Sequence, residues 1–143
     1  MKKRIITVIV IVLSSLTALT VMAQYQVEPN DLKISPPRYR NAYITVRDHF
    51  VKLGSNVPFP LPQAGYSLDK FITFGSLDAG IRCFIRRNAC SEELVSQLIN
   101  GDRVTLHGYV RQPRATLGKR VKVRGRVERY IFEVSKIERG WKE

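Results

Sequence analysis

Only one stretch of this 143-residue chain carries a convincing helical signal, and it stands among short strand-like runs. It is Ser91–Asn100, where Leu94, Val95, Leu98 and Ile99 form one apolar stripe. Ser91 suits the N-cap, Glu92 and Glu93 suit the positive end of the helix dipole, and Gly101 suits the residue just past the end. The next residues, Asp102–Arg111, alternate cleanly. Val104, Leu106, Gly108 and Val110 take one face, and Arg103, Thr105, His107, Tyr109 and Arg111 the other. A chain that switches once from period 2 to period 3.6 and back is a small β protein with one helical insert.

The remaining strands follow from the same test. Lys70–Ser76 and Gly80–Arg86 are short apolar runs joined by Leu77-Asp78-Ala79-Gly80, a hairpin signature. Tyr130–Lys136 sets Tyr130, Phe132 and Val134 on one face. Tyr43–Leu53 is read as a strand with a bulge near Asp48-His49, because its apolar parity changes there. Tyr43, Val46, Phe50 and Leu53 are also helically spaced, so a helix competes. Between this element and the hairpin, Gly54–Leu68 holds Pro58, Pro60 and Pro62, which remove backbone donors and forbid a helix. Gln24–Asn41, with Pro29, Pro36 and Pro37, lacks a period and reads as a leading arm or linker.

The resulting order is three strands, a short helix, then two strands. That is the order of the five-stranded OB-fold barrel, an all-β closed sheet with little free edge. Residues 70–137 resemble the nucleic-acid-binding OB domains of the tRNA-anticodon-binding type. The resemblance is carried by Lys70–Gly75, Gly80–Ile85, Leu106–Val110, Tyr130–Ile137 and above all the junction Gln97-Leu98-Ile99-Asn100-Gly101-Asp102-Arg103-Val104. It implies an OB domain over 42–143. The chain also resembles small exported OB-fold proteins of bacteria in architecture and leader.

Residues 1–23 read as an export signal. Lys2, Lys3 and Arg4 precede an apolar core, Ile5–Leu13, and Val21-Met22-Ala23 provides a cleavage site before Gln24. The competing reading is an uncleaved anchor, since 5–23 is just long enough to span a bilayer. Cleavage leaves 120 residues carrying +9 instead of +12, in a periplasmic or secreted location. Cys83 and Cys90, spaced C-x6-C, are the only cysteines. In an exported protein they suggest a disulfide, with two free thiols as the alternative.

No motif asks for catalysis. The chain has no phosphate-binding Gly loop, no H-E-x-x-H and no G-x-S-x-G. His49 and His107 are isolated, no metal-ligand spacing occurs, and no cofactor is expected. The charge is more informative. From Arg111 to Arg129 eight basic residues meet one acid, so +7 sits in 19 residues and +2 in the rest of the mature chain. In an OB barrel this segment joins strands four and five and flanks the ligand face. Arg111, Arg114, Lys119, Arg120, Lys122, Arg124 and Arg126 are therefore candidates for binding an anionic polymer or surface: nucleic acid, acidic glycan or lipid headgroups. The alternative is a solvated hairpin whose charges prevent edge pairing. Parity places Ile81, Cys83 and Ile85 inward, and Arg82, Phe84 and Arg86 outward. An exposed Phe84 between two arginines would stack on bases or sugars, with Tyr109 as a second candidate and Phe59 and Tyr66 flanking; Phe84 buried as core is the competing reading. A second class of function is an interaction module of the cell envelope, using the arm 24–41 and the Pro-rich loop to contact a partner protein.

Overall fold

Alternating burial along Tyr43–Val51 shows how this sheet is built: Ile44, Val46, Asp48 and Phe50 point inward, and Tyr43, Arg47 and His49 do not. A computed structural model describes residues 25–58, 61–113 and 130–141. The leader 1–23, Phe59 and the basic residues Arg114, Lys119, Arg120, Lys122, Arg124 and Arg126 lie outside the described residues. The elements are β1 (Tyr25–Val27), α1 (Pro29–Ile34), a 3-10 turn (Pro36–Tyr39), β2 (Tyr43–Val51), β3 (Phe71–Ser76), β4 (Ile81–Arg86), α2 (Ala89–Ser96), β5 (Arg103–Arg111) and β6 (Ile131–Arg139).

The strands join in the order β2-β3-β4-β6-β5, and β5 pairs back onto β2. The result is a closed five-stranded barrel with α2 between its third and fourth strands, as the element order predicts. All its pairings are antiparallel except β4 with β6. Ile81, Cys83 and Ile85 face the interior with Phe74, Val104, Leu106 and Phe132. Among the described residues no helix is long and apolar enough to cross a membrane.

From Tyr25 on, the segment read as an arm is folded onto the barrel. β1 adds to β2 in parallel, and Val27, Leu32 and Tyr39 are buried in the main core. These three residues are too far apart in sequence to show a period, so only their tertiary partners reveal them as core.

The bulge expected at Asp48-His49 is absent. β2 pairs with β5 in unbroken register from Tyr43↔Tyr109 to His49↔Arg103. The parity change in the sequence arises because Asp48 occupies an inward position. Its carboxylate is fully buried and accepts four hydrogen bonds: from His49 N at 2.6 Å, Asp78 N and Ala79 N at 2.9 Å, and the Ser76 hydroxyl. The irregularity lies instead between β5 and β6. His107 pairs with Lys136 and Gly108 with Val134, which leaves Ser135 as the extra residue. Gly108 is required there, because a Cβ would overlap the Glu133 carbonyl oxygen.

The helix is shifted from its expected span. Asn88, not Ser91, is the N-cap: its side chain accepts from Ser91 N at 2.9 Å, and Ser91 Oγ accepts from Asn88 N at 3.0 Å. α2 ends at Ser96, after which Leu98 enters the core and Ile99 is left exposed. Gly101 follows in a turn with φ +91°. The expected disulfide does not form. Cys83 is inside the barrel and Cys90 is exposed on the first turn of α2, so the two thiols belong to different environments and both are free. Burial pushes the Cys83 thiol well above its ordinary range.

Candidate binding face

Phe84 projects from the outer face of the barrel, as its parity requires, yet it is not a stacking platform. It is fully buried in a second apolar cluster with Leu61, Phe71 and Ile131. The Pro-rich loop supplies the cover. Successive turns, Leu61 N to Pro58 O and Tyr66 N to Leu61 O, fold it back on the sheet. The Tyr66 ring then lies 5.1 Å from Phe84 and 5.3 Å from Phe71. Covering each Phe contributes about 1.5–3 kcal/mol, which explains why the loop closes instead of presenting its aromatics. The Tyr66 hydroxyl donates to Glu133 Oε2 at 2.7 Å. Burial and the Glu133 carboxylate hold the Tyr66 phenol far above its ordinary value, so it stays a neutral donor.

Beside this sealed patch, β4, β5 and β6 leave a cavity of about 310 Å³ lined by Arg86, Tyr109, Arg111, Glu133 and Ser135. Arg86 places its guanidinium 5.4 Å over Phe71, and Arg111 lies 4.5 Å over Tyr109. Arg111 also donates to Asn41 Oδ1 at 3.0 Å and stands 3.9 Å from Glu133. Tyr43 meets Tyr109 edge-on at 5.0 Å, and its hydroxyl is 2.9 Å from Ser135 Oγ. Of the outward residues singled out in the sequence, Arg86, Tyr109 and Arg111 thus meet at one cavity. Arg82 does not line it; that side chain is half-buried and donates to Thr73 Oγ1 at 3.4 Å. Arg111, the first residue of the basic segment, pairs with Ile131 across the sheet, so the segment begins beside this cavity.

Sequence reasoning missed a second opening, on the outer face of β2 and β5. It is a cleft of about 660 Å³ lined by Thr45, Arg47, His107, Glu138, Arg139 and Trp141, among others. His107 is 5% exposed and forms its floor. Its Nδ1 is 2.8 Å from Thr45 Oγ1 and its Nε2 is 3.2 Å from Glu138 Oε2. Lys136 and then His107 hold the Glu138 carboxyl below its ordinary value, so it accepts from Nε2–H, while Nδ1 and the Thr45 hydroxyl share the other hydrogen bond. Trp141 has Arg103 5.3 Å over its ring and His49 at its edge, 5.4 Å between centroids. The alternation of β5 places His107 outward, but its partners on β2 and β6 depend on a pairing register that the chain alone does not display.

Asp48, His49 and Asp78 also lie within ligand distance of one another. Both oxygens of Asp48 are already occupied by the donors of the β3–β4 turn, so its chemistry is that of a turn anchor.

No family model and no curated protein matches this chain. Among solved structures it is similar to OBody AM2EP06 bound to hen egg-white lysozyme, with a TM-score of 0.49 and 12% identity over 78% of this chain and 88% of that one. OBody AM3L09 bound to hen egg-white lysozyme gives a TM-score of 0.47 and 13% identity over 72% and 85%. A putative aspartyl-tRNA synthetase from Leishmania major Friedlin gives 0.46 and 11% identity over 82% of this chain and 21% of that chain. None of the three exceeds 13% identity, so no ligand is carried over from them.

Proposed function

We propose that the protein is an exported, non-catalytic binding module for an anionic polymer. One observation carries the reading: Arg86, Tyr109 and Arg111 meet at a single cavity, where the basic segment also begins. Two guanidiniums offer paired donors to carboxylate, sulfate or phosphate groups, and the Tyr109 ring holds that of Arg111 in place. The adjoining residues Arg114, Lys119, Arg120, Lys122, Arg124 and Arg126 add charge that a polymer, unlike a small anion, can use along its length. Export rests on the pattern of residues 1–23.

The envelope-protein reading has weaker support. The arm and the Pro-rich loop were its contact surfaces, and both spend apolar residues on the barrel itself. Fluorescence anisotropy with labelled anionic polymers at low and moderate salt tests the first reading. Binding is expected to weaken at least about tenfold between roughly 50 and 200 mM salt. Replacing Arg86 and Arg111 together by Ser is expected to remove most of it. Affinity insensitive to both would count against the proposal.

A further inference from the structure

The two openings are not independent. On the outer face of the β2–β5 ribbon, side chains succeed one another as cross-strand pairs: Tyr43 with Tyr109, Thr45 with His107, Arg47 with Thr105, and His49 with Arg103. Arg111 stands at one end of this row and Trp141, against Arg103 and His49, at the other. From Tyr109 to Arg103 the row runs about 20 Å, at roughly 3.4 Å per residue. The first cavity and the Trp141 cleft therefore lie along a single track.

The chemistry along that track is uneven. Guanidiniums stand at one end (Arg111) and at the other (Arg47, Arg103, Arg139). Between them come phenol, hydroxyl and imidazole groups: Tyr109, Tyr43, Thr45 and His107. Two carboxylates, Glu133 and Glu138, border this middle part. Lys136 is bound to Glu138 at 2.8 Å and Arg111 stands 3.9 Å from Glu133, so these cations are already balanced, and a polymer with a phosphate at every unit would find no net positive charge along the middle. A chain of sugars with spaced carboxylates suits the row better. Its acids reach the arginines at the ends, its hydroxyls donate to Glu133 and Glu138, and its C–H faces lie against Tyr109 and Trp141.

We infer that the ligand is a linear acidic polysaccharide lying along the β2–β5 face from Arg111 to Trp141. The inference rests on the reading of the first cavity as an anionic-polymer site and names the polymer. Trp141 is the only tryptophan of the chain, so intrinsic fluorescence reports on the far end of the track alone. The probes are digalacturonate, octagalacturonate and octauridylate, each titrated into the full protein at fixed salt. Octagalacturonate is expected to change Trp141 emission and to bind at least about tenfold more tightly than the dimer, because it spans both ends. Arg47→Ser, an exposed position, is expected to abolish most of that length advantage while leaving the thermal melt unchanged. Tighter binding of octauridylate with silent Trp141 emission would overturn the polysaccharide track but leave the anionic-polymer reading standing. Octagalacturonate binding without a change at Trp141 would overturn the track as well. Failure of both octamers to bind would overturn both readings.

Discussion

The β3–β4 face and the β2–β5 face belong to one barrel and have opposite fates. On the first, Phe71 and Phe84 are sealed beneath Leu61 and Tyr66. On the second, Tyr109, Tyr43, Thr45 and His107 satisfy one another sideways, and their outer surfaces open on two cavities. The difference is one of chemistry at outward positions. Large apolar groups there recruit a loop, because leaving them wet is costly. Polar groups that find partners within the sheet need no cover, and that surface stays free for a ligand. An outward aromatic in a strand is thus weak grounds for a binding site until its neighbours are known.

Truncating the seal has the largest expected effect. Phe84→Ala should cost about 3–5 kcal/mol, read from a denaturant midpoint, because it empties a fully enclosed position. A cost near zero would mean that the loop does not cover this face in solution. Gly108→Ala comes next. Its methyl group would meet the Glu133 carbonyl, and a loss of roughly 3 kcal/mol is expected as the β5–β6 bulge rearranges. The same variant should disturb binding, since Glu133 and Tyr109 border the first cavity. At the seam between the faces, Tyr66→Phe removes the bond to Glu133 and should cost about 1 kcal/mol.

The smallest effect concerns the open face alone. Glu138 has its carboxyl held below the ordinary 4.5 in the folded protein. Its contribution is therefore present above the unfolded value and lost as pH falls through the folded value. Thermal melts of the protein and of Glu138→Gln should converge as the pH is lowered through that range and separate again above it. Melts that stay equally far apart at every pH would remove the Lys136–Glu138–His107 contacts from the account.

Much of the barrel was legible because its information is local. The β5 alternation, the inward parity of Ile81, Cys83 and Ile85, and the single helical insert each lie within ten residues of sequence. What escaped depends on distant partners. Asp48 looked like a break in a strand pattern because its four donors are supplied mostly by a turn that follows about thirty residues later. Val27, Leu32 and Tyr39 looked like linker residues for the same reason. Cys83 and Cys90 were close in sequence, but the strand turns one thiol into the core while the helix start turns the other to solvent. The Thr45–His107 pair and the Trp141 cleft require the β2–β5 register and the return of the C-terminal residues to His49. The basic segment was the most visible feature of the charge pattern, and the described structure shows where it begins, at Arg111 beside Ile131.

The buried carboxylate of Asp48 couples two parts of the barrel that are distant in sequence. The β3–β4 turn is held by an acceptor from a strand that precedes it by 28 to 31 residues. Its backbone donors at Asp78 and Ala79 find that acceptor only when β2 is already alongside. The turn's own bond, from Gly80 N to Ser76 O at 2.9 Å, is local, whereas these two donors depend on a contact whose loop entropy is long-range. A single side chain thus ties the hydrogen bonding of this turn to the closure of the barrel.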